Sequence, residues 1–150
     1  MNRLKKNTRL LIFILILSVS AITLFSQKAF YEEAKKNVVQ ISPENAKKML
    51  DEGGISLFDV RSEKEYLLGT INSAINIPWS VIVEEITKYV KDKKQKIIVF
   101  CYKGGRGTMA AYKLMKAGYK NVLNIEGGIT AWKNAKLPVI MPEDKKKPKA

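Results

Sequence analysis

Lys96-Ile97-Ile98-Val99-Phe100-Cys101-Tyr102-Lys103-Gly104-Gly105-Arg106-Gly107 is the stretch that decides the fold. Ile97 to Phe100 are four consecutive apolar residues, β-branched and aromatic. They predict a short strand buried on both faces, as in a parallel sheet. The run stops at Cys101, glycine then takes three of the positions 104–107, and helical spacing resumes from Thr108 to Met115. The one cysteine of the chain therefore lies between the carboxyl end of a strand and the amino end of a helix. Open α/β sheets bind ligands at such junctions. Unpaired backbone N–H groups and the helix dipole favour an anion there, and both act to stabilise a thiolate. Glycines let the backbone curl so that several N–H groups converge on one atom.

Outward from this stretch, the pattern alternates strand and helix. Val38 to Ile41 reads as a strand, and Ser42-Pro43 starts a helix with serine as N-cap and proline at the first helical position. Gly53-Gly54 ends that helix, and Ile55 to Val60 is a second strand. Ser62 caps a short helix running to Gly69, Ala74 to Pro78 is a third strand, and Trp79 to Val90 reads as a helix. Beyond the central helix, Gly118 is a good C-terminal stop, Asn121 to Ile125 is a fifth strand, and Gly127-Gly128 opens a last short helix holding Trp132. Strands alternating with helices predict an α/β domain around a parallel sheet.

Composition removes whole classes of chemistry. With one cysteine there is no internal disulfide and no multi-cysteine metal site, and with no histidine there is no Ser-His-Asp or Cys-His catalysis. The formal charge is +13, of which residues 37–141 carry only +6. The lysine-rich end has no interleaved aromatic residues, so nucleic acid is not expected as a partner.

The chain divides into an apolar leader (1–26), a polar linker or short helix leaving the membrane (27–37), the domain (38–141) and a lysine-rich tail (142–150). Arg3, Lys5, Lys6 and Arg9 precede sixteen uncharged residues, Leu10 to Phe25. That is the layout of an export signal or retained anchor. No clean small-residue cleavage site follows, so the expectation is an uncleaved anchor helix, engaging the membrane through residues 8–27. The basic flank stays inside and the domain lies on the extracytoplasmic side; release after signal cleavage is the alternative.

Four blocks in order resemble the family of single rhodanese-like domains: Leu57-Phe58-Asp59-Val60-Arg61-Ser62-Glu63-Lys64-Glu65-Tyr66, Ala74 to Pro78, Cys101 to Arg106, and Gly118 to Val122 followed by Glu126-Gly127-Gly128-Ile129-Thr130-Ala131-Trp132. The resemblance covers roughly residues 38–139. It implies a rhodanese-like fold with a central five-stranded parallel sheet and helices on both faces; the apolar leader puts a hydrophobic helix ahead of it. It also implies a sulfurtransferase cycle without metal or organic cofactor. Cys101 takes the outer sulfur of a donor such as thiosulfate, sulfite leaves, and cyanide or a thiol removes the sulfur. A thiolate nucleophile and a stable anionic leaving group need no imidazole.

Site residues carried over by the resemblance are Cys101 as nucleophile and Tyr102, Lys103, Gly104, Gly105, Arg106 and Gly107 as the anion-binding loop. Asp59 and Arg61 are supporting scaffold. Arg106 either braces the loop or meets an anionic oxygen; Lys103 either attracts the donor or is merely solvated. The chain departs from the family at Gly69-Thr70-Ile71-Asn72-Ser73-Ala74, where Gly-His-Ile-Pro-Gly-Ala is frequent, and at Gly107, where serine is frequent. Two alternatives remain: a catalytically idle binding or sulfur-carrier module, and a cysteine-dependent phosphatase or arsenate reductase, though four rather than five residues separate Cys101 from Arg106. Gly105-x-Gly107-x-x-Ala110 imitates a dinucleotide fingerprint but lies too late in the chain for it.

Overall fold

The computed structural model describes residues 23–142. The chain divides into two compact units, Met1–Glu33 and Ala34–Ala150. Residues 23–37 are helical (α1). Among the described residues no helix is long and apolar enough to cross a membrane. Residues 8–22 of the expected anchor, and the lysine-rich tail beyond residue 142, lie outside the described residues; residues 23–27 belong to α1.

The second unit is the α/β domain. Its elements are β1 (Val39–Ile41), α2 (Pro43–Glu52), β2 (Ile55–Asp59), α3 (Glu63–Leu67), β3 (Ile75–Asn76), α4 (Ile82–Glu85) with a 3₁₀ turn (Ile86–Lys88), β4 (Lys96–Phe100), α5 (Gly105–Lys116), β5 (Asn121–Ile125) and α6 (Gly128–Asn134). The five strands form one sheet in the order β1-β5-β4-β2-β3. Every pairing is parallel. β4 is central, and Ile97 to Phe100 are fully buried. Ile98 and Phe100 enter a core with Leu57, Ile125, Ile129 and Trp132. Alternation turns Ile97 and Val99 to the opposite face.

Local signals explain most boundaries. The Ser42 side chain accepts a hydrogen bond from the Asn45 N–H, and Gly53 ends α2 at φ 82°. Ser62 caps α3 in a capping box with Glu65. Two expectations are corrected. Trp79 to Val90 is not one helix: Val81, Ile82, Val83, Ile86 and Thr87 are β-branched and lose side-chain freedom in a helix. No side chain caps the start of α4, which tightens after one turn. Helix α5 begins at Gly105, three residues earlier than the apolar spacing suggests. Gly105, Arg106 and Gly107 are therefore its first turn, and the loop proper is Cys101 to Gly104.

The carboxyl-terminal stretch is tied to the sheet's β3 side. Thr70 and Ile140 exchange backbone hydrogen bonds of 2.8 Å in each direction, and the Trp132 indole donates to the Pro138 carbonyl at 2.9 Å.

Candidate active site

Cys101 follows the last residue of β4 and is 2% exposed, beneath the turn formed by Tyr102, Lys103 and Gly104. The Gly104 N–H donates to its Sγ at 3.1 Å. Gly104 adopts φ +96°, a conformation natural to glycine. The Thr108 N–H bonds the Gly104 carbonyl at 2.8 Å, closing the first turn of α5. The amides of Gly105, Arg106 and Gly107 thus belong to a helix start and have no partner within the helix.

The loop's carbonyls are bonded away from the sulfur. Ile129 N–H donates to the Cys101 carbonyl at 2.8 Å, and Thr130 donates to the Tyr102 carbonyl from its N–H at 3.1 Å and its hydroxyl at 2.8 Å. In a planar trans peptide the N–H opposes the C=O. Binding those two carbonyls to α6 therefore turns the Tyr102 and Lys103 amides away from α6. Close packing makes this possible. A Cβ on Gly128 would stand 2.2 Å from the Cys101 carbonyl oxygen, and one on Gly107 would stand 2.1 Å from Asn124 Oδ1.

Tyr102 and Lys103 are exposed at the loop's tip, with Lys103 Nζ 5.9 Å from the Tyr102 ring centroid. Arg106, in the first turn of α5, reaches across to α3. Its Nη1 donates to Glu65 Oε2 at 2.8 Å and its Nη2 to Oε1 at 2.6 Å, a bidentate pair joining α5 to α3. This hydrogen bonding raises the Arg106 pKa, with the nearby Cys101 sulfur a smaller contributor. It lowers the Glu65 pKa to about 2, helped by the Ser62 hydroxyl and N–H and opposed by burial.

Nothing local in the sequence marks Glu65 as a site residue. Ser62-x-x-Glu65 is legible as a capping box, but a partner 41 positions away leaves no mark in local sequence. A carboxylate with a depressed folded pKa contributes stability above its unfolded pKa and loses it as pH falls through the folded value. Glu65→Gln is therefore expected to cost about 1–2 kcal/mol at neutral pH in urea unfolding. The difference from wild type should shrink between the ordinary value of 4.5 and about 2. A pH-independent difference would contradict the pairing.

Asp59 and Arg61 form a buried clamp on the neighbouring strand's end. Asp59 is 0% and Arg61 4% exposed. Arg61 Nε reaches Oδ1 at 2.9 Å, and Nη2 reaches Oδ2 at 2.6 Å and the Gly69 carbonyl at 2.7 Å. The Thr70 hydroxyl, at the position where the family frequently has histidine, donates to Asp59 Oδ2 at 2.9 Å. Asp59 pairs across the sheet with Phe100, next to Cys101.

Asn124 likewise carries no local signal in the sequence. It is 0% exposed, and its Nδ2 lies 2.7 Å from Gln40 Oε1, 3.2 Å from the Gly104 carbonyl and 3.2 Å from Thr108 Oγ1. Its Oδ1 is the one buried side-chain polar atom without a hydrogen-bond partner among the described residues. An orphaned acceptor of this kind costs about 1–3 kcal/mol.

A five-stranded parallel sheet with a single cysteine at the end of its central strand, under a glycine-rich turn, defines the class. Residues 42–135 match the family described as Rhodanese-like domain, and the chain belongs to that family. It is 33% identical over 98 residues to a sulfurtransferase of Allochromatium vinosum, covering 65% of this chain and 90% of that protein. Thiosulfate sulfurtransferase 18 of Arabidopsis thaliana is 28% identical, with 79% of this chain and 96% of that protein covered. Among solved structures, the polysulfide-sulfur transferase homodimer of Wolinella succinogenes superposes with a TM-score of 0.67 at 27% identity, covering 83% of this chain and 93% of that one. Sulfur transfer is thus supported at the level of the family.

Proposed function

We propose that the protein is a thiosulfate-type sulfurtransferase working through a persulfide on Cys101. The observation that carries this is the Gly104 N–H on the Cys101 sulfur, within a turn whose Cys101 and Tyr102 carbonyls are bound elsewhere. The Cys101 thiolate attacks the outer sulfur of thiosulfate, forming an S–S bond as the outer S–S bond of the donor breaks. Sulfite departs with that electron pair, and the enzyme keeps a persulfide anion. Cyanide or a thiolate then attacks the outer sulfur, leaving as thiocyanate or a persulfide and restoring the thiolate. Charge balances in each half without a proton transfer, in keeping with a chain that has no histidine.

The Gly104 N–H on the sulfur supplies the stabilisation, since hydrogen bonds to an anion are the strong ones. Arg106 acts through the loop, because both of its Nη atoms are engaged by Glu65. That engagement also disfavours a phosphatase reading, in which the arginine fork would hold a phosphoryl group. Lys103, exposed on the loop, attracts the dianion. The amino-terminal residues 1–26 are proposed to anchor the domain on the extracytoplasmic side. Membrane fractionation of the full chain tests that separately: a soluble full-length chain would overturn the anchor.

The test of the activity is intact mass after incubation with thiosulfate. Wild type should gain one sulfur atom, lose it on adding cyanide, and form thiocyanate, while Cys101→Ser should gain none. Lys103→Ala should load as completely but need about three- to tenfold more thiosulfate, a loss of binding rather than of the chemical step. A wild-type mass unchanged by thiosulfate would sink the reading.

A further inference from the structure

We infer that Asn124 is a positioning residue of the sulfur site: it holds Gly104 in the one conformation that sets its N–H on the Cys101 sulfur. This rests on the sulfurtransferase reading for its purpose, though not for its test.

Gly104 is fixed at both ends. Its N–H lies on Sγ, and its carbonyl receives the Thr108 N–H at 2.8 Å, the Thr108 hydroxyl at 3.1 Å and Asn124 Nδ2 at 3.2 Å. Glycine has no side chain to choose between positive and negative φ, so its φ of +96° must be selected from outside. Asn124 can do this because it stands on a strand. It pairs across the sheet with Val99 on β4, two residues before Cys101, and with Gln40 on β1. An amide nitrogen has two hydrogens. One goes to Gln40 Oε1 at 2.7 Å, and the other is shared between the Gly104 carbonyl and Thr108 Oγ1. Gln40 Nε2 also reaches Thr108 Oγ1 at 3.3 Å. The chain of contacts runs from the sheet to the loop.

The arrangement has a cost that packing alone does not justify. Asn124 Oδ1 is buried against Gly107 with no donor. A leucine of similar shape would fill the space and leave no bare acceptor. What asparagine supplies, and leucine does not, is the donor to Gly104.

The experiment uses Asn124→Leu and Asn124→Ala, with Thr108→Val and Thr108→Ser beside them. Cys101 is the only cysteine, so alkylation by iodoacetamide reads it alone. Asn124→Leu should melt at or above the wild-type temperature. Its alkylation near pH 7 should slow roughly fivefold, about the worth of one hydrogen bond, and its pH profile should move to the alkaline side. A loop that merely opens would instead speed alkylation at every pH. Thr108→Val should follow Asn124→Leu and Thr108→Ser should follow wild type. Asn124→Ala carries the same expectation if the leucine variant does not fold. Alkylation profiles that stay at the wild-type position in the folded Asn124 variants would overturn the role. If wild type takes no sulfur from thiosulfate, the proposed activity falls while the alkylation series still decides Asn124.

Discussion

Arg61→Met is expected to lower the unfolding free energy by about 3–5 kcal/mol, a large part of the roughly 5–15 kcal/mol typical of a domain. The reason is what it leaves behind. Asp59 is wholly buried, and its carboxylate receives Arg61 Nε and Nη2, the Arg61 N–H and the Thr70 hydroxyl. Methionine fills much of the volume of arginine but cannot neutralise the charge, and a lone buried carboxylate is far costlier than a missing pair. The Gly69 carbonyl loses its donor at the same time. The double variant Asp59→Leu/Arg61→Met should therefore be more stable than Arg61→Met alone. Urea unfolding of the two single variants, the double variant and wild type measures this as a coupling energy. If Arg61→Met unfolds within about 0.5 kcal/mol of wild type, the clamp is not an ion pair of consequence.

The parts of the fold written in neighbouring residues were legible. β5 spans Asn121–Ile125, the stretch read as the fifth strand, and α2 starts where Ser42 and Pro43 say it should. Cys101 stands at the strand's end because four buried residues in succession have no other reading in an alternating chain. What the sequence hid is long-range. Gly105 and Gly107 look like loop residues, yet they are helical, and Gly107 is small because Asn124 Oδ1 occupies the space of a side chain. Arg106 had two open roles, and only the fold shows Glu65 within reach of its fork. Trp79 to Val90 has helical apolar spacing, but its β-branched residues resist continuing the helix. In each case the deciding partner, or the deciding competition, lies outside the window in which spacing can be read.

The same dependence on a distant partner gives the second large effect. Gly128→Ala is expected to cost about 3 kcal/mol or more and to abolish sulfur loading of Cys101. Two terms add. Gly128 has φ +58°, where a residue with a Cβ is strained by roughly 1–2 kcal/mol. The added carbon would also lie 2.2 Å from the Cys101 carbonyl oxygen and 2.9 Å from the carbonyl carbons of Cys101 and Tyr102. These are backbone atoms, so no rotamer change relieves the clash; the loop or α6 must move. Either movement breaks the bonds from Ile129 and Thr130 that turn the loop's carbonyls away from the sulfur. Gly118→Ala separates the two terms, since Gly118 has φ +96° with nothing within 4 Å of an added Cβ. It should lower the melting temperature by the backbone strain alone and load sulfur as wild type does. A Gly128→Ala protein that melts like Gly118→Ala and still loads sulfur would show that the loop tolerates displacement, and that α6 does not set its geometry.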